Sequence, residues 1–234
     1  MISKIKITTL FFVVLATFSC GSTKLQSHSE QAVAPINEVE KPPFVQVVPE
    51  GWTAMMDGNS LEGWEKVRNV GEAQPYIYNG VLTLPMSVFS SMTGLCMENE
   101  YLFPVVNYAI YYEARRIEGN DIFGGLSFPY KNSYATLVVG GWGGSICGLS
   151  CIDGECAFEN ETATVIFFED NVWYPIYLRV TNDSIRAEIN DITVVDIATA
   201  GRRIHLRGGT IAPSLTFFTY MSGGQFRNMR MKRL

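Results

Sequence analysis

The stretch that decides the fold is WYPIYLRVTNDSIRAEINDITVVDI, residues 173–197. Apolar and polar residues alternate along it, as they do in strands that bury one face of a sheet. Asn182-Asp183 and Asn190-Asp191 interrupt this alternation, and both residue types favour tight turns. The stretch therefore predicts three consecutive antiparallel strands, with Pro175 near a strand end because proline cannot donate a ladder hydrogen bond.

Short strand patterns continue on both sides of this meander. Residues 76–84 contain Asn79-Gly80, the strongest short-range signal for a β-hairpin. Residues 105–115 alternate tyrosine and aliphatic side chains with other residues, and little of the chain has a helical period. Many short strands with turn residues between them predict an all-β protein. We expect one jelly-roll domain of two antiparallel sheets over residues 44–234.

Two segments frame this domain. Gly51–Trp64 places the turn sequence Asp57-Gly58-Asn59-Ser60 between two tryptophans, which predicts two short strands folded back on each other. Near the end, basic residues alternate with apolar ones, a pattern typical of a half-buried strand. The apolar members are Phe226, Met229 and Met231, and the basic members are Arg227, Arg230 and Lys232.

Composition limits the classes of function. The chain has 234 residues, of which 47% are hydrophobic and 18% charged, so it can form a substantial core. The formal net charge is −5. Because nucleic-acid binding depends on a positive field, this charge makes nucleic acid an unexpected partner.

The first twenty residues have the composition of an export signal. Two lysines precede an apolar run over residues 7–18, which is too short to span a bilayer, and Ser19-Cys20-Gly21 follow. A cysteine at this place resembles that of a bacterial lipoprotein, whose thiol receives diacylglycerol. We expect Cys20 to be lipidated, and the alternatives are secretion and an uncleaved anchor.

Residues 21–43 are rich in Ser, Gln and Pro and lack an apolar period, so they predict a flexible tether. Together with the signal, the tether indicates a lipid-anchored protein of the bacterial cell envelope. Four further cysteines would allow two disulfides in an exported protein. Buried thiols are the main alternative and metal binding the lesser one, since the spacing is not a standard zinc pattern. These cysteines are Cys96, Cys147, Cys151 and Cys156.

In the order of its motifs the chain resembles the 3-keto-disaccharide hydrolase-like domains, a family of concanavalin A-like jelly rolls. The resemblance spans nearly the whole folded part and implies a carbohydrate ligand. It rests on Met56–Trp64, Tyr78–Leu84, Tyr111–Arg115, the 173–197 meander and Phe226–Arg230. One departure is clear. Family members usually carry a glutamine and a His-Gly pair before the closing strand, where this chain has Phe217–Gly224 without histidine.

The resemblance implies cleavage of 3-keto sugars by elimination, which needs a base at the acidified C2 hydrogen and an acid at the departing oxygen. The glycine-rich residues 140–162 offer a tryptophan for stacking on a sugar ring. Their acids would serve as acid, base or Ca²⁺ ligands. Our catalytic candidates are Glu113, Asp153 and Glu155, and our substrate-binding candidates are Trp142, Asp121, Asn160 and Glu161.

Each candidate also has a structural interpretation. Acids in loops are usually solvated, Asp121 follows a turn sequence, and a carboxylate within a strand needs a partner such as Arg115 or a metal. Two functions therefore stand side by side. One is an enzyme acting on glycosides, and the other is a lectin-like module that binds a glycan through Trp142 without turnover. A structural envelope protein without a small ligand is a third alternative.

Overall fold

The computed structural model describes residues 43–68, 72–88, 92–206 and 214–234. These residues form fifteen β-strands and almost no helix. In chain order the strands are β1 (Thr53–Ala54), β2 (Trp64–Lys66), β3 (Tyr76–Tyr78), β4 (Val81–Leu84), β5 (Met92–Met97), β6 (Tyr108–Gly119), β7 (Gly125–Tyr130), β8 (Ser133–Gly140), β9 (Ile146–Ser150), β10 (Thr164–Val165), β11 (Tyr174–Val180), β12 (Ser184–Ile189), β13 (Ile192–Ala198), β14 (Thr216–Tyr220) and β15 (Ser222–Arg233).

The strands form two antiparallel sheets. Sheet A has the order β13-β12-β11-β6-β15-β4-β3, and β1 pairs with β15 beyond this path. Sheet B has the order β10-β9-β8-β7-β14-β5-β2. Apolar side chains from both sheets form one core between them. The prediction of an all-β jelly-roll sandwich of two antiparallel sheets is confirmed.

The longest pairing joins β6 and β15 at the centre of sheet A, where each strand has twelve residues. Tyr112 and Phe226 point inward from this pair and meet Phe217 of sheet B, with ring centroids 5.3 Å and 5.4 Å apart. All three rings are fully buried. This aromatic contact joins the two sheets at the middle of the core.

The local turn predictions are confirmed. The 173–197 stretch forms β11, β12 and β13 as an antiparallel meander, and Pro175 is the second residue of its strand. Strands β3 and β4 form the expected hairpin. Asn79 and Gly80 both have positive φ, 48° and 74°, as the favoured two-residue hairpin turn requires.

The prediction that Gly51–Trp64 folds back on itself is wrong. Strand β1 pairs with β15 in sheet A, whereas β2 pairs with β5 in sheet B. The Asp57 carboxylate accepts the backbone N–H groups of Asn59 and Ser60 at 2.8 Å each, which fixes the turn between the two strands. The turn therefore carries the chain from sheet A to sheet B. There the Trp64 side chain is buried against Phe217.

The disulfide prediction is also wrong for the described residues, in which the four cysteines are buried thiols. Cys96 lies on β5 and Cys147 on β9, and three strands separate these two in sheet B. With neighbouring strands about 4.8 Å apart, this separation far exceeds the reach of a disulfide.

The predicted signal peptide and all but the last residue of the predicted tether lie outside the described residues. Within the described part of the chain, no helix is long enough and apolar enough to cross a membrane.

Replacing Phe217 tests the central aromatic contact. We expect Phe217→Ala to lower the free energy of unfolding by about 3–5 kcal/mol, because it leaves a cavity between Trp64, Tyr112 and Phe226. Phe167→Ala is the matched control, since that side chain is 86% exposed and its loss is expected to cost less than about 0.5 kcal/mol. Guanidinium unfolding measures both, and equal midpoints would contradict this account of the core.

Candidate functional site

The outer face of sheet A, which points away from the core, carries an unusual set of side chains. On β6 the fully buried Tyr112 and Ala114 alternate with the half-buried Tyr111, Glu113 and Arg115. Because side chains of a strand alternate between its two faces, these three share the outer face.

A bulge in β15 places basic residues opposite them. Arg227 pairs with Glu113 and Arg230 pairs with Tyr111, with a register shift between the two arginines. Asn228 lies at this shift with a φ of 54°. Residues three apart in a regular strand point to opposite faces, but the shift brings both arginines to the outer face of sheet A.

Glu113 is held by three donors. Its carboxylate accepts hydrogen bonds from Arg227 Nε at 2.7 Å, Asn228 Nδ2 at 2.7 Å and the Tyr111 hydroxyl at 3.2 Å. Burial opposes ionisation, but the Asn228 and Arg227 hydrogen bonds and the Arg227 charge together hold the pKa of Glu113 below its usual value. The carboxylate is therefore ionised at neutral pH, and its oxygens already accept three hydrogen bonds. Both facts make it a weak base.

Aromatic rings lie among the cations of this face. The Arg115 and Arg227 guanidinium carbons are 4.5 Å and 4.2 Å from the Trp173 ring centroid. Arg230 lies 3.8 Å from the centroid of Tyr111. Arg230 and Lys232 also lie 5.4 Å and 4.9 Å from the ring of Trp52. We call this set the aromatic–basic face; it consists of Trp52, Tyr111, Trp173, Arg115, Arg227, Arg230 and Lys232.

A hydrogen-bonded row extends the face towards the sheet edge. Arg115 Nε donates to Gln225 Oε1 at 2.7 Å, and Gln225 Nε2 donates to Thr83 Oγ1 at 3.0 Å. Thr83 pairs with Tyr76 on edge strand β3. Tyr76 is 52% exposed. The outer face thus runs from Trp173 to Tyr76 across four neighbouring strands and offers rings, cations and amide groups.

Two of the predicted loop acids form an ion pair with an arginine. Arg202 Nε donates to Asp153 Oδ2 at 2.5 Å, and its Nη1 donates to Glu161 Oε1 at 2.6 Å. The Arg203 backbone N–H and the Arg202 side chain lower the pKa of Asp153, and the Arg202 hydrogen bond lowers that of Glu161. Glu155 is exposed between them in sequence. This arrangement ties the 151–161 loop to residues 202 and 203.

The prediction that Asn160 binds substrate does not fit its position. The side chain is buried, and its Nδ2 donates to the carbonyl oxygens of Leu149 and Cys156 at 2.8 Å and 2.9 Å. Its Oδ1 accepts from the backbone N–H and the hydroxyl of Thr162. All of its polar atoms are thus used to shape the loop.

Asp121 and Trp142 lie together at the end of β8. Asp121 Oδ2 accepts the backbone N–H of Gly143 at 3.4 Å, next to Trp142 in sequence. Trp142 is 39% exposed, and its ring packs against Phe158 with centroids 4.7 Å apart. The structure does not bring these residues to Glu113, since Glu113 lies on the outer face of the opposite sheet.

In the described residues, the central strands of sheet B carry small polar side chains on their outer face. The neighbouring strands β5, β14, β7, β8 and β9 place one row of small polar residues in register. Phe218 lies beside this row against Gly125, where an added Cβ would approach the ring to 2.5 Å. The row consists of Cys96, Thr216, Ser127, Thr136 and Ser150, all buried.

No metal centre is apparent in the described ranges, where no three His, Cys, Asp or Glu side chains come together as ligands. The acids proposed for Ca²⁺ are those that contact Arg202 or are exposed. Sequence reasoning missed Trp52, Trp173, Arg227 and Arg230 as site residues. The alternation of basic residues near the end of the chain was the available signal, but it does not reveal what those residues face.

The ionised state of Glu113 has a testable consequence. We expect Glu113→Gln to destabilise the fold at neutral pH, because Arg227 loses its charged partner. The lowered pKa makes the stabilisation complete above the ordinary value of 4.5 and removes it as the pH falls through the folded-state pKa. The difference in unfolding free energy between wild type and variant should therefore shrink below about pH 4.5. Urea titrations from pH 3 to 8 measure it, with the exposed Glu62→Gln as control; a gap constant over this range would contradict the assignment.

Comparison with known proteins gives the family. The model of the 3-keto-alpha-glucoside-1,2-lyase-like domain matches residues 51–232. A candidate glycosyl hydrolase from Parabacteroides distasonis superposes with a TM-score of 0.51 and 14% identity, over 80% of this chain and 98% of that one. Crh5 transglycosylase, solved in complex with NAG, superposes with a TM-score of 0.54 and 8% identity, over 78% and 83%. At such identities these structures show the fold alone, and no curated protein matches the chain. Because the family model covers most of its length, the chain belongs to the family of 3-keto-alpha-glucoside-1,2-lyase-like domains.

Proposed function

We propose that this protein binds carbohydrate on the aromatic–basic face without cleaving it. The observation that carries the proposal is the row of Trp52, Tyr111 and Trp173 on one open sheet face, with cations lying against each ring. Aromatic rings provide rigid, partly apolar contact area, and the surrounding guanidinium and amide groups donate hydrogen bonds to hydroxyl oxygens. The carbohydrate class is supported by the family and by two structural relatives, one named a candidate glycosyl hydrolase and one solved with NAG.

The arrangement of acids favours binding over cleavage. Elimination from a 3-keto sugar needs a base and an acid within hydrogen-bond reach of one substrate. Glu113 on sheet A is ionised and hydrogen-bonded to Arg227. Asp153 and Glu161, in the loop that follows β9 of sheet B, both contact Arg202. The segment where family members usually carry a glutamine and a His-Gly pair forms β14 and the start of β15 here, with Phe218 on the outer face of sheet B.

Cleavage of 3-keto-glycosides is the second candidate, because the family match favours it. In this reaction a carboxylate removes the C2 hydrogen, and the electron pair left behind expels the glycosidic oxygen, which takes up a proton. Among the predicted site residues, Asp121 and Glu155 are the carboxylates that form no ion pair in the described part of the chain. Asp121 lies beside Trp142, so this is the place where a base would act.

Removing the tryptophans tests the binding function. We expect Trp52→Ala and Trp173→Ala each to weaken polysaccharide binding at least about tenfold, as is typical for aromatic residues central to an interface. Affinity electrophoresis through gels containing cellulose derivatives, β-glucan, xylan or pectate measures the retardation. Tyr101→Ala is the matched control, because Tyr101 is an aromatic residue that is 93% exposed and lies outside the face.

Two outcomes would count against the proposal. One is a wild-type protein that no polysaccharide retards, and the other is unchanged retardation in both tryptophan variants. Incubation with a 3-keto-disaccharide, with and without Ca²⁺, should release no sugar. Release that Asp121→Asn abolishes would support the second candidate instead.

We also propose that the domain is held at the bacterial cell envelope by a lipid on Cys20, with secretion as the alternative. The apolar run followed by Ser19-Cys20-Gly21 supports this location. We expect the full-length protein to incorporate labelled palmitate in a bacterial host and Cys20→Ser to lose the label, while Cys96→Ser keeps it. An unlabelled wild-type protein found in the medium would show secretion.

A further inference from the structure

We infer that the polymer bound by the aromatic–basic face is acidic and carries carboxylate groups along its chain. This inference rests on the proposed function and names the ligand class of the same site. It goes beyond the family match, which concerns 3-keto-alpha-glucosides.

The first argument is the balance of charges on the outer face of sheet A. Glu113 contacts Arg227, and Glu188 and Asp196 both contact Arg186 at 2.7 Å. The three acids that the described strands place on this face thus contact two arginines. The remaining basic residues have no carboxylate within ion-pair distance among the described residues; they are Arg115, Arg179, Arg230 and Lys232.

These basic residues form a continuous patch. Lys232 and Arg179 lie in one row across the sheet, since both pair with Ala109 of the strand between them. Arg230 and Arg115 lie further along the same strands, β15 and β6. The whole chain has a formal net charge of −5, so the sign of this patch is opposite to that of the molecule. Such a local field attracts an anionic ligand and orients it on approach.

The second argument is the geometry of the guanidinium groups. Arg230 lies 3.8 Å from the centroid of Tyr111, so its charged group is held against a ring, and its Nε is buried without a hydrogen-bond partner. Arg227 is held by Glu113 and Trp173. A guanidinium in a fixed orientation loses little entropy when it binds, and its donors match the two oxygens of a carboxylate.

A membrane surface is the main competing anionic partner, and the face suits it less well. Peripheral membrane binding usually combines basic residues with apolar side chains that project into the lipid. Trp52 and Trp173 are only half-exposed, and cations lie against their rings. The face therefore presents charged and hydrogen-bonding groups rather than the projecting apolar side chains that insertion into lipid requires.

The test compares one polymer with and without its charge. Pectate and fully methyl-esterified pectin of equal chain length share a backbone and differ in their carboxylates, and alginate with its propylene glycol ester gives a second pair. We expect the full-length protein to bind at least one acidic form at least about tenfold more tightly than its ester, with an affinity that falls as salt rises. Isothermal titration calorimetry or affinity electrophoresis measures both effects.

Substitutions in β15 test whether the preference for the acidic polymer comes from the aromatic–basic face. Arg230→Gln and Lys232→Gln should each weaken binding of the acidic polymer at least about threefold more than they weaken binding of the ester. Arg233→Gln is the matched control, because Arg233 follows on the same strand but pairs with Tyr108, an inward-facing residue. Near-UV circular dichroism establishes that each variant is folded, and Lys232→Gln keeps the test valid if Arg230→Gln fails to fold.

Each remaining outcome has a distinct meaning. Equal binding of acid and ester, weakened by Trp173→Ala, would overturn the acidic ligand and leave carbohydrate binding in place. Binding to phosphatidylglycerol vesicles but to no acidic polymer would overturn the inference in favour of a membrane surface. Binding to no polysaccharide of either kind would overturn the proposed function itself.

Discussion

The pairing of β15 with β6 is the constraint on which both faces of sheet A depend. With Asn228 as an extra residue at the bulge, Phe226 and Met229 can both face the core although they are three residues apart. The same shift keeps Arg227 and Arg230 on the outer face. Without it, one half of the strand would turn its basic side chains into the core, at a cost that no hydrophobic contact offsets. The bulge therefore lets one strand keep its apolar side chains in the core and its basic side chains on the outer face along its whole length.

Ion pairs occupy several carboxylates of the described residues, and this affects what chemistry is available. Glu113 contacts Arg227, Asp153 contacts Arg202, and Asp170 contacts Arg116. A carboxylate stabilised by an arginine is a poorer base than a free one, since its ionised form is favoured. The same pairs orient the arginines. The chain thus uses its acids to hold loops and cations in place, which suits recognition better than proton transfer.

Local patterns predicted the elements, whereas non-local contacts decided their partners. The meander and the Asn79-Gly80 hairpin follow from turn residues that act within a few positions. The 51–64 segment has equally clear turn residues, but its two strands pair with strands of different sheets. Glu113 was expected to need Arg115 or a metal, yet its partner is Arg227. Arg115 instead donates to Gln225 and lies against Trp173, so the cross-strand Arg227 is the arginine that contacts Glu113.

The exposure of the two sheets also bears on the size of the ligand. The row of small polar residues on the outer face of sheet B is buried, and Ser127 and Thr216 in it are fully buried. A ligand can therefore reach the outer face of sheet A more easily. An open sheet face surrounds a single sugar far less than a pocket does, and each sugar therefore gains few contacts. In the proposed binding mode, affinity would then be summed over several sugars along Trp173, Tyr111 and Trp52. Because contacts made by one polymer chain add through a high effective concentration, the proposed site would favour extended polymers over short saccharides.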